Sequence, residues 1–256
     1  MIKIIFKKFR RLFRKIFFIS IYFIFHHHKA MIKLSSYGLS EISVYRVRRW
    51  YTYTEEEKII RRYYKARFNG ELCFIKVAKN DSTIKKEIFI NKYLVQCDIE
   101  FIPKLLVSDE EYDVSTSLIV TEFIQNTHKF KLPEDEKTFE YICGELIAIH
   151  GCFHKLGIMH GDICNSNILL DSRNNISLID FGVGWAPGSE IFKVNDLYVR
   201  GTYYILDGNI RTYDHAFSFL RMMDDCGISK EFKQKECYKK IEKLLGVHTY
   251  TVTLPV

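Results

Sequence analysis

The 256-residue chain has little proline, four residues in all, and its seven cysteines form no Cys-x-x-Cys pair. It has no internal repeat and no low-complexity linker. An odd number of cysteines, several of them inside apolar runs, argues against a disulfide or zinc framework and for reduced, mostly buried thiols. A long uncharged apolar run is missing near the start. The stretch Ile16–Phe25 has ten residues, where a bilayer-spanning helix needs about 20. What the chain does have is apolar bulk: 47% hydrophobic residues, with 20 Phe and 16 Tyr. That excludes a disordered chain, and the length suits one domain, or one bilobal domain with a tail.

Acidic residues are absent from residues 1–30, which carry eight cations (Lys3, Lys7, Lys8, Arg10, Arg11, Arg14, Lys15 and Lys29). Removing those eight from the net charge of +7 leaves the other 226 residues at −1. The body is near neutral, without the excess of cations that a nucleic-acid-binding body carries. In the N-terminal segment Ile2, Ile5, Phe6, Phe9, Leu12, Phe13, Ile16 and Phe17 recur at helical spacing, with the cations mostly between them. This predicts a basic amphipathic helix lying in an anionic membrane surface, and so a cytoplasmic protein held at the inner face of the membrane. No small-residue cleavage site follows, as a signal peptide would require. His26–His28 are adjacent and do not converge on one ion. Met31, which restarts the chain with MIKLSSYG, is an alternative first residue.

The spacing predicts strands over Ile42–Val47, Ile59–Phe68 and Glu71–Ala78, the last two joined by the tight-turn dipeptide Asn69-Gly70. Asp81 and Ser82 cap a helix running to about Leu94. Leu105–Val107 and Leu118–Glu122 read as two more strands around an acidic turn at 109–113. Phe139–Leu156 has helical periodicity, Ile168–Leu170 and Ile176–Ile179 are short strands, and the chain from about Val194 reads as mostly helical. A β-rich first half with one helix, followed by an α-rich second half, predicts an α+β fold of two lobes with a ligand cleft between them.

The chemistry concentrates in HGDICNSNILLDSRNNISLIDFG, residues 160–182. His160-Gly161-Asp162 is followed by Asn167, five positions after the Asp, and then by Asp180-Phe181-Gly182. In residue types and spacing this resembles the catalytic loop and metal-binding motif of the protein-kinase superfamily. The resemblance extends upstream. Cys73-Phe74-Ile75-Lys76-Val77 looks like the strand bearing the phosphate-binding lysine, and Glu87 on the next helix looks like its partner. A lysine inside an apolar strand is costly unless its charge is paired; a solvent-facing edge-strand lysine is the competing reading of Lys76, and a solvated helix face that of Glu87.

The resemblance implies a bilobal kinase-like fold, with the N-lobe over 31–124, the C-lobe over 125–256 and residues 1–30 as a separate basic segment. It implies ATP and Mg2+ as cofactors. Asp162 would orient the acceptor hydroxyl and take its proton, and Asn167 and Asp180 would hold Mg2+ through hard oxygens. Lys76, paired with Glu87, would hold the phosphates, and the backbone at Glu122, Phe123 and Ile124 would meet adenine. Gly182 would allow a sharp turn after Asp180, and His160 would steady the loop.

Three departures stand out. Residues 48–54 (Arg-Arg-Trp-Tyr-Thr-Tyr-Thr) contain no glycine where a glycine-rich loop is expected. Cys164 stands where serine/threonine kinases carry a lysine. No Ala-Pro-Glu motif follows Gly182. These point to the small atypical branch, which includes RIO-like kinases and lipopolysaccharide-core sugar kinases, with Asp196 bracing the catalytic loop. The acceptor hydroxyl would then belong to a lipid-linked sugar. A small atypical serine/threonine protein kinase and a pseudokinase that only binds a partner are the alternatives.

Overall fold

The computed structural model describes residues 28, 30–45, 60–113, 116–189, 202–207 and 210–253. The amphipathic basic segment, the glycine-free stretch 48–54 and Asp196 lie outside the described residues.

A short helix α1 (residues 30–35) leads into a five-stranded antiparallel sheet made of β1 (Leu39–Val44), β2 (Ile60–Phe68), β3 (Glu71–Lys79), β4 (Leu105–Asp113) and β5 (Thr116–Glu122) in the order β1-β2-β3-β5-β4. Strand alternation decides which side chains reach the cleft. Tyr64 and Ala66 on β2, Cys73, Ile75 and Val77 on β3, and Leu118 and Val120 on β5 share one face, where they form a core with Ala30 and Leu34 of α1. The opposite face carries Arg61, Tyr63 and Lys65 on β2, in register with Ala78, Lys76 and Phe74 on β3.

Helix α2 (Ser82–Gln96) packs on that second face, where Ile84 and Ile88 meet Ala78 and Ile119. Its N-cap Asp81 accepts from Thr83 N at 3.1 Å, the arrangement its sequence position predicts. The acidic residues 109–113 continue β4 rather than turning. β4 is the sheet edge, where outward charges are tolerated and discourage further pairing. Asp109 meets Tyr37, and Glu110 meets Lys92 at 3.3 Å.

The second lobe is built on α3 (Glu136–Leu156), capped by Asp135 and closed by Gly157 at φ +65°. Phe139, Ile142, Leu146, Ile149 and Phe153 form its buried stripe. The two-residue β6 (His128–Lys129), β7 (Ile168–Leu170) and β8 (Ile176–Leu178) form a small sheet beside it. Further on come β9 (Thr202–Asp207), β10 (Ile210–Asp214), α4 (His215–Asp225), α5 (Lys230–Lys233), α6 (Glu236–Glu242) and β11 (Thr249–Thr253).

The expectation of a mostly helical chain after Val194 is corrected here, because β9, β10 and β11 form a three-stranded antiparallel sheet. The cause is visible in the residues: runs of Thr, Tyr, Ile and Val favour strands. No helix among the described residues is long and apolar enough to cross a membrane.

Candidate active site

Lys76 lies on β3 opposite Tyr63 and is buried, 8% exposed. Its ammonium donates to Glu87 Oε2 at 2.6 Å and to Asp180 Oδ1 at 3.0 Å. The first contact ties the sheet to α2, and the second reaches 104 residues along the chain to the second lobe. The solvent-facing alternative for Lys76 is thereby excluded. Burial works against the ammonium, but Asp180 and Glu87 outweigh it and hold the Lys76 pKa above its ordinary value. The same lysine pulls the Asp180 carboxyl below its ordinary value. The Asp180 side chain is 49% exposed, so its carboxylate remains open to the cleft.

Asp180 has φ +69°, a region costly for any residue but glycine, and one that structures retain at functional sites. The turn expected at Gly182 follows directly, closed by Gly184 N donating to Phe181 O at 2.9 Å. Gly182 serves a second need as well: a Cβ there would lie 3.3 Å from Thr83 Cβ at the start of α2. Phe181 turns the other way, into the core of the second lobe, 4.4 Å from the His160 ring and 6.2 Å from Phe153, centre to centre.

Asp162 and Asn167 are joined directly. The Asn167 amide nitrogen donates to Asp162 Oδ2 at 2.9 Å and to Asp162 O at 3.0 Å. With its nitrogen so engaged, the amide presents its carbonyl oxygen Oδ1 elsewhere, where Ser166 Oγ lies at 3.4 Å. Asn167 Oδ1 and the ionised Asp180 carboxylate are both hard oxygen donors, so the donor chemistry fits Mg2+.

The loop beneath is fixed by His160, fully buried. Its Nε2 donates to Ile179 O at 3.1 Å, and its Nδ1 accepts from Asp162 N at 3.2 Å. One donor and one acceptor require the neutral ring, and burial pushes His160 down to about 4. Gly161 sits at φ +81°, and a Cβ there would come within 2.5 Å of Val183 O. Only glycine lets the two loops approach so closely.

The sequence reading missed the brace behind this loop. His160 N donates to His215 Nε2 at 3.2 Å. Asp214, fully buried, caps α4 by accepting from Phe217 N at 3.2 Å and takes Gly246 N at 2.8 Å. An Asp followed by an amphipathic run is an N-cap signal, so Asp214 could have been found.

A pH dependence follows from the buried rings. His160 is held down to about 4, and His215 well below its ordinary 6.5. Between those values the unfolded chain binds protons that the folded chain refuses, so stability is full above pH 6.5 and falls as the pH drops. From pH 7 to 5, His160 alone is expected to cost about 2 kcal/mol. Urea midpoints at the two pH values check this, and an equal midpoint at both would contradict it.

These groups line one cleft of about 860 Å³, which includes Arg61, Lys76, Glu87, Asp162, Asn167 and Asp180. Glu122, Phe123 and Ile124 line it too. The Glu122 and Phe123 amides are already bonded to Lys104 O at 2.8 Å and Leu72 O at 3.0 Å, so adenine would have to be met by the remaining backbone groups of that stretch. Cys164 lies beside Ser166, Sγ to Oγ 3.0 Å.

No protein-family model matches the chain. Individual proteins do. The serine/threonine-protein kinase CLA4 of Candida albicans is 34% identical over 124 residues, which are 44% of this chain and 12% of that protein. The EKC/KEOPS complex subunit bud32 of Dictyostelium discoideum is 35% identical over 95 residues, 34% of this chain and 38% of that protein. The serine/threonine-protein kinase sax-1 of Caenorhabditis elegans is 28% identical over 140 residues, 50% of this chain and 28% of that protein. The fold is protein-kinase-like. The chain thus spans well under half the length of each of these relatives, and the likeness to bud32 stands beside the likeness to longer protein kinases.

Proposed function

We propose that the protein is an ATP-dependent phosphotransferase that moves the γ-phosphate to a serine or threonine hydroxyl of a protein. The observation that carries this reading is the double contact of Lys76 with Glu87 and Asp180, formed over the same cleft that Asp162 and Asn167 line. In this reading Lys76 holds the phosphates, and Glu87 keeps the ammonium charged and aimed. Asp162 orients the acceptor hydroxyl and accepts its proton. Mg2+, held by Asn167 and Asp180, would supply neutralisation of the phosphate charge.

The relatives named as serine/threonine-protein kinases favour a protein acceptor. None of the three relatives described above is named for a lipopolysaccharide-core or other lipid-linked sugar, so that acceptor rests on Cys164 in place of the lysine, the missing Ala-Pro-Glu motif and the basic residues 1–30. The likeness to bud32 is what supports placement in the small atypical branch. The presence of every polar group in the cleft argues against a pseudokinase, since an inactive chain has no need to hold Asp162 and Asn167 together.

The test is transfer of labelled phosphate from Mg-ATP into a protein fraction and, separately, into extracted membrane glycolipid. Label in protein is the expected result. Label confined to glycolipid would move the acceptor to a lipid-linked sugar and the working site to the membrane face. No label in either, with ATP bound, would make the chain a binding module.

A further inference from the structure

The cleft has two distinguishable ends. At one, Tyr45 packs edge-on against Phe74 and Phe123 at 5.4 and 5.7 Å, and the Lys65 ammonium lies 4.4 Å above the Phe123 ring. This aromatic end adjoins Glu122–Ile124 and suits a flat base. At the other end stand Lys76, Asp180 and Arg61. Among the described residues, a triphosphate placed there meets few cations. Lys76 already answers two carboxylates, Glu87 and Asp180. The usual relief, backbone amides of a glycine-rich turn, has no glycine to build it, since the chain has none from residue 39 to 69.

Arg61 stands where a further cation would be useful. It is on β2 opposite Ala78, two positions from Tyr63, which is opposite Lys76. Alternation therefore puts the Arg61 side chain on the Lys76 face of the sheet, about 7 Å further along the strand. It lines the cleft, and its side chain is 35% exposed. It is also pre-aimed. Arg61 Nε pairs with the buried Asp81, and Nη2 reaches Thr83 Oγ1 at 3.3 Å; among the described residues Nη1 donates no hydrogen bond, which leaves that edge of the fork for a ligand. Thr83 is the residue against which Gly182 packs, so the guanidinium is anchored beside the Asp180–Gly182 turn. A planar fork held on one edge is well suited to a phosphate oxygen.

We propose that Arg61 is a second phosphate-binding cation of the nucleotide site, a side chain from β2 serving where a glycine-rich backbone turn is lacking. The inference rests on the nucleotide reading given above and adds a residue to it. It predicts that Arg61 acts on phosphate and not on the base.

The test measures binding of Mg-ATP, Mg-ADP and adenosine to the full chain by calorimetry, in the wild type and in Arg61→Ala, Arg61→Gln and Arg61→Lys. The expected result is that Ala and Gln weaken ATP and ADP by about ten-fold or more, leave adenosine within about two-fold, and flatten the salt dependence of ATP binding. Lys should restore part of the loss. Arg61→Gln keeps the comparison available if Arg61→Ala does not fold. Equal weakening of all three ligands would make Arg61 a structural residue and overturn the proposal, as would unchanged ATP affinity in the Ala and Gln variants. A wild-type chain that binds none of the three overturns the nucleotide reading itself and this proposal with it.

Discussion

Asp162→Asn is expected to lower phosphoryl transfer by about 10²- to 10⁴-fold, the range for removal of a positioned general base, while ATP affinity stays near the wild-type value. The separation follows from the geometry. Asp162 Oδ2 accepts from Asn167 Nδ2, and the Asp162 amide is fixed by His160 Nδ1. An asparagine at 162 can turn its carbonyl oxygen to Asn167 and keep both bonds, so the loop retains its shape and the Asn167 carbonyl its direction. What disappears is the capacity to take a proton from a hydroxyl. Turnover with labelled ATP and calorimetry on the same preparation read the two effects independently. Turnover equal to the wild type would remove Asp162 from the reaction. A parallel loss of ATP affinity would mean that the loop had collapsed.

Much of this site was legible in the sequence because it is local. His160, Asp162 and Asn167 fall within eight residues, and the short strands that lead to Asp180 are bounded by turn residues. Lys76 and Glu87 were legible for another reason: a lysine in an apolar strand needs a partner, and the next helix offers a glutamate. Spacing could not reveal groups that act across distance. His215 meets His160 across 55 residues, and nothing periodic connects them. The turn at Gly182 was legible, but its close approach to Thr83 of the other lobe was not, for the same reason. Arg61 lay between these cases. Its alternation with Tyr64 and Ala66 can be read from sequence, but the face it occupies is decided only by its register with Lys76. The strands after Val194 were missed because β9, β10 and β11 are short runs of five or six residues in a stretch that also holds α4, α5 and α6.

Lys76→Met is expected to abolish measurable turnover and also to destabilise the fold by about 3 kcal/mol, the cost of leaving one half of a buried ion pair behind. Glu87 is 7% exposed, and burial already pushes its carboxyl up against the opposing pull of Lys76. Without the ammonium, desolvation is opposed only by the weaker pull of Arg61, and the folded state favours the protonated acid. The sign of the pH effect follows. With its folded pKa above its unfolded one, Glu87 in the variant binds a proton that the unfolded chain releases, so relative to the wild type the variant loses stability as pH rises. The buried neutral histidines, present in both chains, act in the opposite direction and cancel in the difference between variant and wild type. Adding Glu87→Gln to Lys76→Met removes the orphaned charge, and the double variant is expected to recover most of the lost stability and none of the turnover. That asymmetry separates the two roles of the lysine. Glu87 can be relieved of its partner by another mutation, whereas the phosphates cannot. Urea denaturation of the wild type, both single variants and the double variant at pH 6 and 8 closes the cycle. Additive stability losses would show that Lys76 and Glu87 are not coupled in solution, and the cleft would lose the contact on which its nucleotide assignment stands.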